Sequence, residues 1–275
     1  SDEVLEESSF DARMEVTYMP IDINSDVGES FGAWTMGFDR RTLEAVTSAN
    51  IACGSHAGDP SVMTSTVKIC AELGVAVGAH PGYPDLQGFG RRDMSMSPAE
   101  VKAWVLYQVG ALWAIARSQG VCLTHVKAHG ALYNRAAVDP SLAAAIAAAV
   151  AELDLGLVLV GLAGSVMEGA AHGAGVPFAG EAFPDRAYTP AGTLVSRSQP
   201  GALIADPEEV AARAVAMARD GSVVASDGSL IKLNARTLCV HGDSVHAADT
   251  ARAVRAAIEA AGIDVAPLSD WSDPR

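Results

Sequence analysis

The stretch Leu123-Thr124-His125-Val126-Lys127-Ala128-His129-Gly130-Ala131-Leu132-Tyr133-Asn134 decides how the rest of the chain is read. It opens as a short strand-like run and then sets His125, Lys127, His129 and Tyr133 within nine positions. Ending a strand requires none of these groups. Binding an anion, holding a metal or moving a proton would use all of them. Alternation puts Lys127 and His129 on one face, with His125 one step deeper. Reactive side chains at the end of a strand are what the C-terminal mouth of an α/β barrel displays.

Working outward, six further segments read as strands: residues 19–23, 45–52, 75–79, 157–160, 176–180 and 237–240. The stretch itself supplies a seventh over 123–127. Helices fall between them. Asp59 caps one, with Pro60 at its first position and a stop at Gly74. Ser97-Pro98-Ala99-Glu100 is a capping box, and Val101, Trp104, Val105, Leu112 and Ile115 follow it at helical spacing towards Gly120. Asp139-Pro140 opens an alanine-rich helix ending at Leu153; Ser165 and Asp206-Pro207 open two more, and residues 244–260 form the last. Ser226-Asp227-Gly228-Ser229, between short apolar runs, is a hairpin turn.

The pattern therefore predicts a single seven-stranded parallel β/α barrel over 19–275, a distorted TIM-like ring with a small β-hairpin insertion. A disordered acidic arm is predicted over 1–18. A doubly wound sheet would show the same alternation, but it would gather its reactive groups at one switch point. Here nearly every strand end carries them.

Composition agrees with an α/β enzyme. A chain of 275 residues buries roughly 75% of its unfolded surface, enough for one large core. The net charge of −14 argues against nucleic acid and anionic membrane surfaces; it says little about the substrate, which is expected to be a small molecule. No apolar run approaches the roughly 18 residues of a membrane span. The first twenty residues lack an apolar core, so no secretory leader and a cytoplasmic location are expected. Cys53, Cys70, Cys122 and Cys239 are scattered, and three of them read as core thiols.

The candidate site follows from the strand ends. Asp22, Asn24 and Asp26 share one face of the first strand, with Glu29 just beyond. Inward acids without partners are costly, so they call for a cation, a metal or a shared proton. Asn50 and His56 flank Cys53-Gly54-Ser55, where small residues let backbone approach a ligand. His80 opens a shaped loop that ends in Arg91-Arg92, whose guanidinium forks suit carboxylate or phosphate. Lys127 could hold a carboxylate, or donate a proton if its pKa were lowered. Glu181 and His241 end later strands, and the neighbouring Asp185-Arg186 reads as a structural pair. A divalent metal would find Asp26, His56, His80 and His129, although no H-E-x-x-H motif exists. There is no G-x-x-x-x-G-K-[ST] and no G-x-S-x-G, so neither a phosphate loop nor a nucleophile elbow is present.

Six motifs carry a resemblance. D-I-N-S-D-V-G-E at 22–29, N-I-A-C-G-S-H-A-G-D-P at 50–60 and G-A-H-P-G-Y-P-D-L-Q-G-F-G-R-R at 78–92 are three of them. V-K-A-H-G-A-L-Y-N at 126–134, F-P-D-R-A-Y at 183–188 and V-H-G-D-S at 240–244 complete the set. Together, in this order, they resemble the LamB/YcsF family over nearly the whole chain. Ala128 stands where that family usually has proline. The resemblance implies a seven-stranded barrel related to the polysaccharide deacetylases. It also implies ATP-dependent opening of 5-oxoproline to glutamate by a 5-oxoprolinase, in which this chain would be the A component beside subunits B and C.

The residues and the resemblance fit one scheme. Partner subunits would phosphorylate the lactam oxygen with ATP, and this chain would place water on the activated ring. Asp22 or Asp26 would be the base, with His129 or His80 as acid or polariser and Lys127 completing the catalytic set. Asn24, Glu29, Asn50, His56, Arg91, Tyr133, Glu181 and His241 would line the substrate. Two alternatives are a metal-dependent amidohydrolase or deacetylase working without ATP, and a non-catalytic scaffold for the other two chains.

Overall fold

The computed structural model describes residues 18–37, 39–240 and 247–270. The acidic arm, apart from Tyr18, and the predicted binding residue His241 lie outside the described residues. The chain runs β1 (Asp22–Val27), α1 (Asp39–Leu43), β2 (Ser48–Ala52), α2 (Pro60–Leu73), β3 (Ala76–His80), α3 (Pro98–Ser118) and β4 (Leu123–Lys127). It continues through α4 (Gly130–Ala136), α5 (Pro140–Leu153), β5 (Val158–Leu162), α6 (Val166–Gly173), β6 (Phe178–Ala182) and α7 (Pro207–Asp220). The hairpin β7 (Ser222–Val224) and β8 (Leu230–Lys232), then β9 (Thr237–Cys239) and α8 (Ala247–Ala260), complete it.

Among the described residues, β1-β2-β3-β4-β5-β6-β9 close a barrel in which every neighbouring pair is parallel. The predicted ring and its hairpin insertion are both present. Helix starts follow the predicted chemistry. Asp59 accepts from the backbone N–H of Ser61 and Val62, and Gly74 ends α2 in the left-handed region at φ 69°. Ser97 and Glu100 form the reciprocal capping box of α3. Asp139 caps α5 by accepting from Ser141 and Leu142.

The apolar core is a shell between the ring and the helices. Ile23 and Val27 of β1, Ala49 and Ile51 of β2, and Leu159 of β5 face Val67, Val105, Leu112 and Ile146 in one continuous cluster. The helices face the barrel with their buried stripes; in α3 these are Val101, Val105, Val109, Leu112 and Ala116. Trp104 and Ile115, expected on that stripe, are only partly buried. No single helix among the described residues is long and apolar enough to cross a membrane.

Several strand bounds differ from the sequence pattern for one reason. The pattern begins the first strand at residue 19 and runs it into 22–29, and ends the sixth at residue 180, whereas β1 spans Asp22–Val27 and β6 continues to Ala182. Both run on through polar residues because the barrel interior supplies partners for them. The short helices α1 and α4 have no counterpart in the sequence pattern.

Candidate active site

Inward-facing side chains form three polar tiers along the barrel. At the floor, Asp22 is fully buried. Its Oδ1 accepts from Thr47 Oγ1 at 2.7 Å and Ser48 Oγ at 2.6 Å, and Thr237 Oγ1 donates to its Oδ2. Burial outweighs these three hydroxyls and pushes the carboxyl from 3.8 up to about 6.

The middle tier is a chain of amides. Asn24 Nδ2 donates to Glu181 Oε1 at 3.0 Å and to Thr237 Oγ1 at 2.6 Å. Asn50 Nδ2 donates to Asn24 Oδ1 at 2.7 Å and to Asp26 Oδ1 at 2.9 Å. His125 Nε2 donates to Asn50 Oδ1 at 2.8 Å, and burial pulls this imidazole down to about 3, so it stays neutral. Gly78 makes room for it, since a Cβ there would come within 2.1 Å of His125 Nε2.

The upper tier opens into a cavity of about 550 Å³ at the mouth. Lys127 Nζ, on the last residue of β4, reaches Asp26 Oδ1 at 2.9 Å, Glu181 Oε1 at 2.8 Å and Cys239 Sγ at 3.1 Å. Burial alone would lower this ammonium. Asp26, Cys239 and Glu181 outweigh it and hold the group above its ordinary value. Lys127 therefore stays a cation, and the proton-donor role that a lowered pKa would have allowed does not apply.

Glu29, His56, His80 and His129 offer ligand atoms that all lie within 4.8 Å of one another, and all four residues are buried. Asp26, predicted as a ligand, stands just outside this group; its Oδ2 is 3.3 Å from His80 Nε2. Glu29, predicted as a substrate contact, takes its place. His129 stacks flat on His56, with ring centroids 3.7 Å apart. Burial and the neighbouring imidazoles hold both well below the ordinary histidine value. The backbone is shaped to admit these rings. Gly90 has φ 63°, and a Cβ on it would meet His129 Cδ2 at 2.8 Å. The preceding Phe89, also in the left-handed region at φ 54°, turns its carbonyl onto His129 Nε2 at 2.8 Å.

Predicted site residues separate cleanly by tier. Asp26, Glu29, His80, Arg91, Lys127, His129 and Tyr133 line the cavity. Asn24, Asn50, His56 and Glu181 lie outside the lining as buried supports. Asp22 is not brought to the cavity at all, because the Asn24 tier lies between it and the mouth. Arg92 pairs with Asp85 instead of facing the site.

Sequence reasoning missed Arg186 and Arg197, which line the same cavity with Ser196 and Ser198. Arg186 does what a structural residue does, donating to the carbonyls of Ala202 and Val195. It also borders the cavity, and burial followed by the charge of Arg197 lowers its pKa. The charge of Arg91 contributes to that lowering and to those of His56 and His129. The available signal was Ser196-Arg197-Ser198 in the polar loop after β6.

The sequence profile of the LamB/YcsF family matches residues 21–273. The chain is 54% identical over 251 residues to the 5-oxoprolinase A subunit from Methylococcus capsulatus, covering 91% of this chain and 96% of that one. Among solved structures, a lactam utilization protein from Thermus thermophilus superposes with a TM-score of 0.85 at 51% identity, covering 90% of this chain and 99% of that one. The catalytic domain of a peptidoglycan N-acetylglucosamine deacetylase from Eubacterium rectale matches with a TM-score of 0.51 at 10% identity, covering 99% of this chain and 94% of that one. At that identity it shares the fold alone.

Proposed function

Because the chain belongs to the LamB/YcsF family, we propose that it works as the A component of a 5-oxoprolinase, opening the lactam of 5-oxo-L-proline to L-glutamate with ATP and with subunits B and C. One observation carries the reading. Lys127, Arg91, Arg186 and Arg197 share a single cavity with Asp26, His80 and His129. 5-Oxoproline is a small carboxylate, and a phosphoryl group on its ring adds more negative charge. Clustered guanidiniums suit both anions. The acid and imidazoles beside them suit proton transfer. A cavity of about 550 Å³ also falls within the size class of small-molecule sites.

The chemistry divides between the chains of the assembly. Amide resonance makes the lactam a poor target for water. Transfer of a phosphoryl group from ATP to the lactam oxygen releases ADP and leaves an electron-poor ring carbon. This chain has no phosphate-binding glycine loop, so the partner subunits carry that transfer. Water then adds to the ring carbon while Asp26, the most accessible acid of the site, takes its proton. His80 and His129, whose other ring nitrogens donate to backbone carbonyls, turn acceptor nitrogens towards the cavity and orient that water. The carbon–nitrogen bond breaks as Asp26 returns the proton to nitrogen, the new hydroxyl passes its own proton to an imidazole nitrogen, and γ-glutamyl phosphate results. A second water releases phosphate and leaves glutamate. Lys127 pairs with Asp26 at 2.9 Å and fixes its position, and the arginines hold carboxylate and phosphoryl oxygens.

Glutamate release from 5-oxoproline and ATP, measured with this chain alone, the partners alone and all three together, tests the reading. Release is expected only from the full set, with one ADP formed per glutamate. Release by this chain alone without ATP would replace it with a stand-alone amidohydrolase. Undiminished turnover of a His129→Ala protein within the full set would reduce the chain to a scaffold.

A further inference from the structure

The tautomers of His80 and His129 can be read from their partners. His80 Nδ1 lies 2.8 Å from the carbonyl oxygen of Lys127, and a carbonyl only accepts, so that nitrogen carries the proton. His129 Nε2 lies 2.8 Å from the carbonyl oxygen of Phe89 and carries its proton for the same reason. The two remaining nitrogens, His80 Nε2 and His129 Nδ1, are then bare lone pairs facing each other at 2.9 Å. Other acceptors crowd the same point. Glu29 Oε1 is 3.5 Å from His129 Nδ1 and 3.7 Å from His56 Nε2, and Asp26 Oδ2 is 3.3 Å from His80 Nε2. Neither ring nitrogen of His56 has a hydrogen-bond partner, although the residue is completely buried. Two imidazole lone pairs facing each other at 2.9 Å repel unless a positive charge stands between them.

We propose that this point is a divalent transition-metal site, with His80 Nε2, His129 Nδ1 and the Glu29 carboxylate as its core ligands and His56 as the fourth. The donor set selects the metal. Imidazole nitrogens with one carboxylate suit zinc, cobalt or nickel, whereas calcium and magnesium prefer all-oxygen shells. The spacing suits them too. Tetrahedral zinc with nitrogen at roughly 2.0–2.1 Å separates its ligand atoms by about 3.3 Å. The core separations of 2.9 and 3.5 Å bracket that value. His56 lies stacked on His129, so its ring tilts off that stack to reach the ion. The carbonyls of Lys127 and Phe89 are the outer partners that fix each core imidazole, as ligating histidines require. This inference does not depend on the identity of the substrate: the metal site could fail while the lactam reading stands.

The experiment uses the full chain, freed of any affinity tag, stripped with chelator and titrated with Zn2+ or Co2+. One ion per chain is expected, surviving gel filtration. The cobalt form should show the visible absorption of four- or five-coordinate nitrogen-rich Co2+. At a hundredfold excess over Kd the zinc form should gain roughly 5–10 °C in Tm. Glu29→Gln and His129→Gln should weaken binding at least tenfold with unchanged near-ultraviolet circular dichroism, whereas Asp22→Asn should bind like the wild type. Less than a tenth of an ion per chain overturns the proposal and leaves a shared proton between His80 and His129. Stoichiometric binding unaffected by either Gln variant overturns it as well, because the ion would then sit elsewhere.

Discussion

The floor and the mouth of the barrel each bury a carboxylate among polar neighbours, and they solve the problem in opposite ways. At the floor, Asp22 meets Thr47, Ser48 and Thr237, three hydroxyls that donate to it. At the mouth, Asp26 pairs with the Lys127 ammonium, and its Oδ2 and Glu29 Oε1 lie beside imidazole nitrogens that accept. The floor is complete in itself and stabilises the ring. The mouth turns acceptor nitrogens towards an open cavity, where a ligand can meet them. Burial and charge alone do not distinguish a structural acid from a working one; the balance of donors and acceptors does.

The largest expected difference is in turnover. His129→Ala should lower glutamate release by the three-subunit assembly by about a thousandfold, the range of a lost proton-transfer group. Any loss below tenfold would move the chemistry away from the mouth.

Next comes stability. Asp22→Ala takes the acceptor from the buried hydroxyls of Ser48 and Thr237 and opens a cavity, and urea denaturation at pH 5.5 should show a loss of about 2–4 kcal/mol. Glu29→Gln, which relieves crowding among acceptors, should leave metal-free stability within about 1 kcal/mol of the wild type or raise it. Equal losses from the two changes would erase the distinction.

The pH dependence gives a comparable figure for the floor alone. The Asp22 carboxyl is raised from 3.8 to about 6, so the folded state holds its proton more tightly. Its stabilising contribution is complete below 3.8 and is lost as pH rises through 6. A difference of that size is worth about 3 kcal/mol for a fully buried group. Asp22→Asn should remove that decline, which denaturation midpoints between pH 4 and 8 would reveal.

The smallest effect concerns the backbone behind the mouth. Gly90→Ala places a methyl against His129 and His56 at a left-handed position and should cost about 1–2 kcal/mol. It should also reduce turnover, which a floor-side glycine outside the site would not.

Much of this was legible in the sequence. Strand ends bearing Asp26, His80, Lys127 and His129 announced a closed ring with its site at one end, and Asp59, Ser97 and Asp139 announced the helix starts. The strand bounds were harder because hydropathy expects an apolar barrel interior. Here Asn24, Asn50, His125 and Glu181 bond one another inside it, so β1 and β6 run further than their apolar residues. Alternation also placed Asp22 and Asp26 on one face without showing which of the two reaches the mouth. Arg186 was hidden because its hydrogen bonds go to carbonyls of a loop that only the fold brings near.

The most direct test sets these two aspartates of one strand against each other in the reconstituted assembly, with glutamate release as the readout. Asp22→Asn should stay within tenfold of the wild type, and Asp26→Asn should fall by a thousandfold or more. The reverse order, or equal losses, would contradict the assignment of structure to the floor and chemistry to the mouth.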